Sequence, residues 1–192
     1  MEDNFMLSRL RRLFKRLILR KSKEQLELEY LIQNGLKIGN NTHFNSGFLI
    51  DSKWPWLISI GDNVLFSSNV TVLAHDASTN IVGCHTKLGR VVIGNNVFIG
   101  YGSTILCNVR IGDNVVIGAG SVVSHDLESG GVYAGIPAKR ICSIEEYREK
   151  NEALLTNRPY FASIHKWNEW GESTESERQQ MIDALEDGCG YI

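Results

Sequence analysis

Between Val91 and Leu127, an aliphatic residue recurs at every sixth position of the chain. The series is Ile93, Ile99, Ile105, Ile111, Ile117 and Val123. An α-helix repeats about every 3.6 residues and a half-buried strand about every two, so neither element gives a period of six. The period fits a chain that turns a corner every six residues and points one aliphatic side chain inward from each short strand. Three such strands make one triangular coil, and stacked coils bury a continuous apolar column.

The same register continues upstream of residue 91. Its members there are Ile38, Phe44, Ile50, Ile60, Phe66 and Val72. The register breaks at residues 51–56 and again at residues 76–90, and we expect both segments to leave the prism of strands. Pairs of Asn or Asp stand at the expected corners, where Asn tolerates a positive φ. These pairs are Asn40-Asn41, Asp62-Asn63, Asn95-Asn96 and Asp113-Asn114.

The N-terminal part, residues 1–34, is predicted to be a basic helical arm. Residues 1–23 hold eight Arg or Lys against two acidic residues, a net charge of 8 − 2 = +6. Helical spacing of apolar residues predicts an amphipathic helix from Ser8 to about Glu29. Such a helix could cap the open end of the prism, or it could attach residues 1–23 to an anionic membrane surface. Nucleic-acid binding is not expected, because the positive charge is confined to this arm and no recognition module accompanies it.

The C-terminal part, residues 142–192, is predicted to be an acidic helical extension. One helix is expected to start after Ser143 as N-cap, and a second to run from Thr174 to about Asp187. Trp167 and Trp170 in this part are interpreted as packing residues.

The four cysteines are Cys84, Cys107, Cys142 and Cys189, and they have no paired spacing. Free thiols in a reducing cytoplasm are the favoured interpretation. The sequence has no apolar run of about 20 residues and no signal-peptide pattern, so we expect a cytoplasmic protein without a membrane span.

Several stretches within the repeat carry a family signature. They are Ile60-Gly61-Asp62-Asn63-Val64, residues 93–100, residues 117–123 and Ala134-Gly135-Ile136-Pro137-Ala138-Lys139. Residues 36–141, with the loop 76–90, thereby resemble the hexapeptide-repeat acyltransferases, in the branch of maltose, galactoside and polysaccharide O-acetyltransferases. The resemblance implies a mainly β protein built on a left-handed parallel β-helix, here with helical appendages at both ends.

His75 is the candidate catalytic residue. It lies where the regular repeat stops and the loop begins, a rigid edge beside an irregular segment. An imidazole is largely neutral near pH 7 and can act as a general base. In the family that the chain resembles, the histidine at this position takes the proton of the acceptor hydroxyl, and the oxygen attacks the thioester of acetyl-CoA directly. The group that orients the ring is not evident from the sequence, and a backbone carbonyl is one option.

The resemblance also implies a coenzyme groove on the C-terminal coils. The positions expected to line it are Phe98, Tyr101, Ala119, Ser124 and His125, with Gly100 and Gly118 allowing close approach. Lys139 and Arg140 would meet the phosphates of acetyl-CoA. The family commonly has Lys at the position of His125, and many relatives have Pro-Gly at Cys107-Asn108.

Acceptor contacts are harder to predict, because they lie in the irregular segments. Asp51 and Trp54 are candidates, since a carboxylate can hold sugar hydroxyls and an aromatic ring can stack on a sugar face; Asn45 and His85 are weaker candidates. The alternatives are that the bulge packs its tryptophans between subunits and that His85 is a solvated loop residue.

The preferred hypothesis is an acetyl-CoA-dependent O-acetyltransferase that acts on a sugar or polysaccharide precursor. The resemblance implies a homotrimer with sites between subunits. The alternatives are N-acylation of an amino-sugar and a non-catalytic trimeric scaffold. A zinc lyase on the same prism would need three histidine ligands, two of them closely spaced. The five histidines lack that spacing, so no metal is expected.

Overall fold

The computed structural model describes residues 22–161 and 174–191. The predictions for residues 1–21, including the basic part of the arm, and for Trp167 and Trp170 therefore lie outside the described residues. The chain divides into two compact units, one ending at Ile144 and the other beginning at Glu145.

The first described element is helix α1, Lys23–Gln33. Ser22 is its N-cap with an extended backbone, and Ser22 and Gln25 form a reciprocal capping box. The prediction of one helix running from Ser8 to Glu29 is wrong, because the chain is not helical at Ser22 and the helix continues to Gln33. Leu31 is fully buried and joins the same apolar core as the strands that follow.

Short strands then wind into stacked coils, as the period of six predicts. The strands of the first coil are β1 Lys37–Ile38, β2 His43–Phe44 and β3 Leu49–Ile50. Those of the second are β4 Ile58–Ile60, β5 Leu65–Phe66 and β6 Thr71–Val72. Those of the third are β9 Val91–Ile93, β10 Val97–Ile99 and β11 Thr104–Ile105, and those of the fourth are β12 Val109–Ile111, β13 Val115–Ile117 and β14 Val122–Val123.

The strands of successive coils pair in parallel and form the three sides of a prism. The first sheet has the order β1-β4-β9-β12 and the third has the order β3-β6-β11-β14. The second sheet has the order β2-β5-β10-β13, continued by β15 Gly131–Ala134 and β16 Lys139–Ser143. Only the β15–β16 pair in these three sheets is antiparallel, so the chain reverses where the prism ends.

The hexad residues fill the inside of the prism. All six from Ile93 to Val123 are at most 2% exposed, and Phe66 and Val72 are fully buried. Ile38 and Phe44 are only partly buried and pack against the same core at its N-terminal end. Each inward side chain lies above its counterpart in the next coil, so the core is one column, as predicted.

The predicted corners adopt the left-handed conformation. Asn41, Asn63, Asn96 and Asn114 have φ between 52° and 55° and lie one above another on the edge between the first and second sheets. Their side-chain amides form a ladder in which Asn41 donates to Asn63, Asn63 to Asn96 and Asn96 to Asn114, over 3.1 to 3.3 Å. Asn108 also has a positive φ, of 61°, which explains how Asn serves at the Cys107-Asn108 corner.

Two segments leave the prism, and both lie on the edge between the third and first sheets. Residues 51–57 form a bulge that ends in a short 3₁₀-helix, Pro55–Leu57. Residues 76–90 were predicted as a loop, but they contain regular structure. Strand β7, His75–Asp76, pairs with β8, Lys87–Leu88, in an antiparallel ladder, and a 3₁₀-helix spans Ser78–Val82.

Among the described residues that follow Ser143 there are two helices, close to the predicted positions. Helix α2 is Ile144–Leu155, beginning at the residue after the predicted cap Ser143. Helix α3 is Glu175–Ala184, with Thr174 as its N-cap and Glu177 completing a capping box. Within the described ranges, no helix combines the length and apolar character that crossing a bilayer requires.

Candidate active site

His75 makes a side-chain hydrogen bond through its Nδ1 to Oδ2 of Asp51. The two residues come from successive coils on the edge between the third and first sheets. Asp51 follows β3, His75 follows β6 after two further residues, and these strands are neighbours in the third sheet. The side chain of Asp51 is 2% exposed, whereas that of His75 is 29% exposed. The pair therefore consists of a buried carboxylate and a ring that reaches the surface.

The carboxylate of Asp51 is fixed by backbone donors as well. Its Oδ2 accepts the N–H of Ala74 at 3.0 Å, and its Oδ1 accepts the N–H of Lys53 at 3.1 Å. Asp51 was a candidate acceptor contact, but the structure gives both of its oxygens partners within the chain. A buried carboxylate needs such partners, because burial without them is costly. The group that orients His75 is thus a side chain and not a backbone carbonyl.

Trp54 lies in the bulge and packs against the ring of His75. The two ring centroids are 4.6 Å apart and the rings are inclined at 57°. Trp54 is half-buried and also packs against the core of the prism. The imidazole is thereby held on one side by the carboxylate and on another by the indole.

The loop is anchored beside His75 by Asp76. Oδ1 of Asp76 accepts the N–H of Ser78 at 2.9 Å, and its Oδ2 pairs with Nζ of Lys87 at 3.1 Å. Hydrogen bonds from Ser78, followed by those from Lys87, lower the pKa of Asp76 to about 2. Asp76 therefore fixes the loop and does not orient the imidazole. His85 is exposed in the same loop, and its carbonyl accepts the hydroxyl of Thr79 at 2.7 Å.

Four predicted coenzyme residues gather on a different edge, between the second and third sheets. Tyr101 and Ala119 are exposed there, and the hydroxyl of Tyr101 accepts a hydrogen bond from Asn69 at 2.8 Å. Gly100 is buried, and a Cβ at this position would lie 2.5 Å from the backbone nitrogen of Ala119. Gly100 is therefore required for the stacking of coils. Gly118 is half-buried and uses its carbonyl to accept the hydroxyls of Ser103 and Ser121.

The other predicted coenzyme residues lie elsewhere on the prism. Ser124 and His125 are exposed on the edge that also carries His75, two coils further along, with Ser124 Oγ and His125 Nδ1 3.4 Å apart. Phe98 is 39% exposed on the outer face of the second sheet. Lys139 and Arg140 are exposed in β16, but Arg140 already pairs with Glu128 at 3.8 Å. One chain therefore distributes the predicted set over two edges and one sheet face.

Asn45 is exposed on the edge between the second and third sheets, away from His75. The structure does not bring this weak acceptor candidate to the Asp51–His75 pair. Over residues 22–161 and 174–191, no three side chains of His, Cys, Asp or Glu converge in a way that would hold a metal ion.

Sequence reasoning missed two features of the site. The first is the hydrogen bond between Asp51 and His75. Asp51 directly follows Ile50, and His75 comes three residues after Val72; these two inward residues pair between neighbouring coils. The second is a cavity beside the loop that is lined by Arg90 and Arg110. The register of six assigns both arginines to one side of the prism, which is the signal that could have found them.

Comparison with known proteins finds a family model and a relative that match this chain. Residues 90–125 match the family model for the bacterial transferase hexapeptide (six repeats). The chain is 38% identical over 159 residues to protein CapG of Staphylococcus aureus, covering 79% of this chain and 89% of CapG.

Two solved structures combine a similar fold with a recognisable sequence. A galactoside acetyltransferase in complex with coenzyme A is 36% identical with a TM-score of 0.54, covering 60% of this chain and 58% of that one. A hexapeptide-repeat acetyltransferase from Vibrio cholerae O1 biovar eltor, complexed with acetyl coenzyme A, is 27% identical with a TM-score of 0.52. That match covers 57% of this chain and 60% of the other. This chain thus spans somewhat less than two thirds of either solved protein.

The fold and the comparisons together define a transferase built on a left-handed parallel β-helix, which confirms the predicted fold class. The chain belongs to the hexapeptide-repeat acyltransferase family.

Proposed function

We propose that this protein transfers an acetyl group from acetyl-CoA to a hydroxyl of a sugar or polysaccharide precursor, with His75 as the general base. The observation that carries the proposal is the hydrogen bond between His75 and the buried carboxylate of Asp51. An ionised carboxylate can only accept, so the proton of that bond belongs to Nδ1 of the imidazole. Nε2 is then left with a free lone pair.

Nε2 is the atom that takes the proton of the acceptor hydroxyl. As the proton leaves, the acceptor oxygen attacks the thioester carbonyl of acetyl-CoA and forms the new C–O bond. The C–S bond breaks, and the departing thiolate receives the proton from Nε2, which restores the neutral ring. Asp51 stabilises the imidazolium between these two transfers and holds the ring in the required tautomer.

The donor assignment is supported by the two solved relatives, which are acetyltransferases in complex with coenzyme A and acetyl coenzyme A. Exposed Tyr101 and Ala119 on one edge, and Ser124 and His125 on the other, are the residues of this chain that would contact the coenzyme. Because both edges border the third sheet, one copy of the chain cannot enclose a narrow groove from both sides.

A homotrimer would supply the second wall of the coenzyme groove. In a closed ring, the edge with His75 of one copy would face the edge with Ala119 of the next, and three equivalent grooves would form. One side of a coil is six residues long and extends at most about 20 Å, too wide for a narrow channel across the third sheet. The active site is therefore proposed to lie between subunits.

The sugar assignment is supported by one relative and one contact. The relative is named as a galactoside acetyltransferase. The contact is Trp54, whose indole lies 4.6 Å from the ring of His75 and offers an apolar surface at the place where an acceptor must lie.

The test is release of thiol from acetyl-CoA by the purified chain in the presence of neutral sugars, acidic sugars and amino-sugars, with mass spectrometry of the products. Acetyl esters on sugar hydroxyls are expected. Transfer to amino groups alone would replace the proposal with N-acylation. Absence of any transfer, from a trimer that still binds coenzyme A, would contradict it.

A further inference from the structure

A cavity of about 350 Å³ opens beside the loop strand that pairs with His75. It lies on the first sheet, between the third and fourth coils, and its walls include Leu88, Gly89, Arg90, Arg110 and Asp126. Binding sites for small ligands range from about 300 to 1,000 Å³, so this cavity lies at the small end of that range.

The cavity has an excess of positive charge. Arg90 and Arg110 are exposed, and neither guanidinium has an ion-pair partner within the described ranges 22–161 and 174–191. The one acidic residue in the wall is Asp126, whose Oδ1 accepts the backbone N–H of Arg110 at 2.7 Å. The wall therefore contains two guanidinium groups and one carboxylate, and that carboxylate already accepts a hydrogen bond.

Neighbouring cations differ in this respect. Lys87 pairs with Asp76 at 3.1 Å, and Arg140 lies 3.8 Å from Glu128. Lys87 and Arg140 are therefore each paired with a nearby acidic side chain. The positive charge and the N–H groups of Arg90 and Arg110 are therefore available to bind a ligand. The planar guanidinium suits the two oxygens of a carboxylate or phosphate.

The cavity is close to the catalytic candidate. Leu88 is the antiparallel partner of His75, and the N–H of Gly89 donates to the carbonyl of Ala74 at 3.0 Å. Arg90 follows two residues after Leu88, a distance of about 7 Å along a strand. Arg110 pairs with Val92 in the first sheet, so it lies on the next coil, about 4.8 Å from that strand.

We propose that Arg90 and Arg110 form a subsite for a carboxylate or phosphate group of the acceptor, which makes the acceptor an acidic sugar unit. The inference rests on the proposed function, because it assigns a substrate class to the same base. The phosphates of acetyl-CoA are a poor fit to this place. They lie at the far end of the pantetheine arm from the thioester, whereas the cavity adjoins the ladder that holds the base.

The experiment compares methyl glucuronide with methyl glucoside, and glucose 6-phosphate with glucose, as acceptors. The wild type is expected to show at least tenfold higher kcat/KM for the acidic member of at least one pair. Combined substitution Arg90→Gln and Arg110→Gln should abolish that preference, leaving the neutral acceptor and the KM for acetyl-CoA unchanged. Lys37→Gln is the matched control, since it removes an exposed charge from the same sheet two coils away.

Two kinetic results would overturn the subsite. One is equal use of acidic and neutral acceptors by the wild type. The other is a raised KM for acetyl-CoA in the double variant that disappears with acetyl-pantetheine, which would assign the arginines to the coenzyme phosphates.

A binding measurement separates this inference from the proposed function. The Arg Nε–H signals of the wild type are followed by NMR during titration with methyl glucuronide and with glucose 6-phosphate. Shifts of the Arg90 and Arg110 signals with either acidic probe, and none with methyl glucoside, support the subsite even if no acetyl group is transferred. Transfer to neutral sugars without such shifts retains the enzyme and overturns the subsite.

Discussion

The carboxylate of Asp51 is buried at the edge between the third and first sheets, where two segments leave the prism. It accepts hydrogen bonds from two backbone N–H groups and from His75, which offsets the loss of water around its charge. One of these backbone donors lies in the bulge and the other follows β6, and the backbone N–H of Asp51 itself donates to the carbonyl of Val72 at 2.9 Å, so its position is set by two neighbouring coils. The hydrogen bond to Asp51 in turn fixes the position of the His75 ring. A histidine at the boundary of a loop is therefore held rigidly.

Replacing His75 with Ala is expected to lower the rate of acetyl transfer by about 10² to 10⁴-fold, the usual contribution of a general base. The oligomeric state and the melting temperature should stay at wild-type values, because His75 is partly exposed and outside the core. Steady-state kinetics and thermal unfolding measure these quantities. His43→Ala, at an exposed position of the first coil, is the control and should keep full activity; wild-type rates for His75→Ala would show that another group is the base.

Asp51→Asn probes the positioning role of the carboxylate through the tautomer of His75. Oδ2 of Asp51 is the partner of both the Ala74 N–H and Nδ1 of His75, whereas Oδ1 accepts from Lys53. An amide NH₂ group in the place of Oδ2 can donate to Nδ1 and so leave the proton on Nε2, while the amide oxygen keeps the N–H of Lys53. The N–H of Ala74 then loses its acceptor, which should lower the free energy of unfolding by about 1–3 kcal/mol. We expect kcat to fall by at least about tenfold, within the range of general-base effects, with the KM for acetyl-CoA unchanged. Imidazole ¹⁵N shifts should report the exchanged tautomer. An unchanged tautomer together with an unchanged kcat would mean that Asp51 is only structural.

At the scale of the element, each Asn corner between the first and second sheets combines a left-handed backbone conformation with a ladder of side-chain hydrogen bonds. Asn96 has a φ of 55°, accepts from Asn63 and donates to Asn114, both over 3.1 Å. An L-residue without a polar side chain pays about 1–2 kcal/mol in this left-handed conformation, whereas Gly does not.

Asn96→Ala is therefore expected to lower the free energy of unfolding by more than Asn96→Gly, by about 1 kcal/mol or more. Asn96→Gly isolates the loss of the ladder, which should cost about 0.5–1.5 kcal/mol for each hydrogen bond. Denaturant unfolding of the two variants measures both quantities. Equal decreases in the free energy of unfolding for the two variants would show that the hydrogen-bond ladder, and not the backbone conformation, makes Asn favourable at position 96.

The repeat was predictable because its period is set by geometry within six residues. Each hexad residue points inward, and each corner Asn has a conformation that its own residue type favours. The site was predictable only in part. His75 is marked by the break in the register, but its bond to Asp51 joins residues 24 positions apart. The helix start at Ser22 was missed, because a continuous apolar spacing concealed a capping box between Ser22 and Gln25.

At the scale of the whole molecule, the separation of His75 and Ala119 on two edges can be tested by mixing defective subunits. His75→Ala lacks the base, and Ala119→Trp blocks the other edge at an exposed position. If sites lie between subunits, every mixed trimer has one intact site. Random mixing in equal amounts should then recover about a quarter of wild-type activity, since about three quarters of the trimers are mixed.

The two variants are purified separately, confirmed inactive, and then unfolded and refolded together, with each variant refolded alone as the control. Light scattering checks that the products are trimers. No recovery of activity in mixed trimers would place the base and the coenzyme edge of each site in one chain, against the proposed arrangement.

The antiparallel strand β16 and the helix α1 have a consequence for self-association. A stack of parallel coils presents unpaired backbone at both ends, and such ends invite the addition of another stack. The reversal at β15–β16 closes one end with a strand of opposite direction, and Leu31 of α1 joins the core at the other. Both ends of the prism are thus protected against the addition of further chains. A chain lacking α1 would expose the backbone of its first coil and would be expected to polymerise end to end.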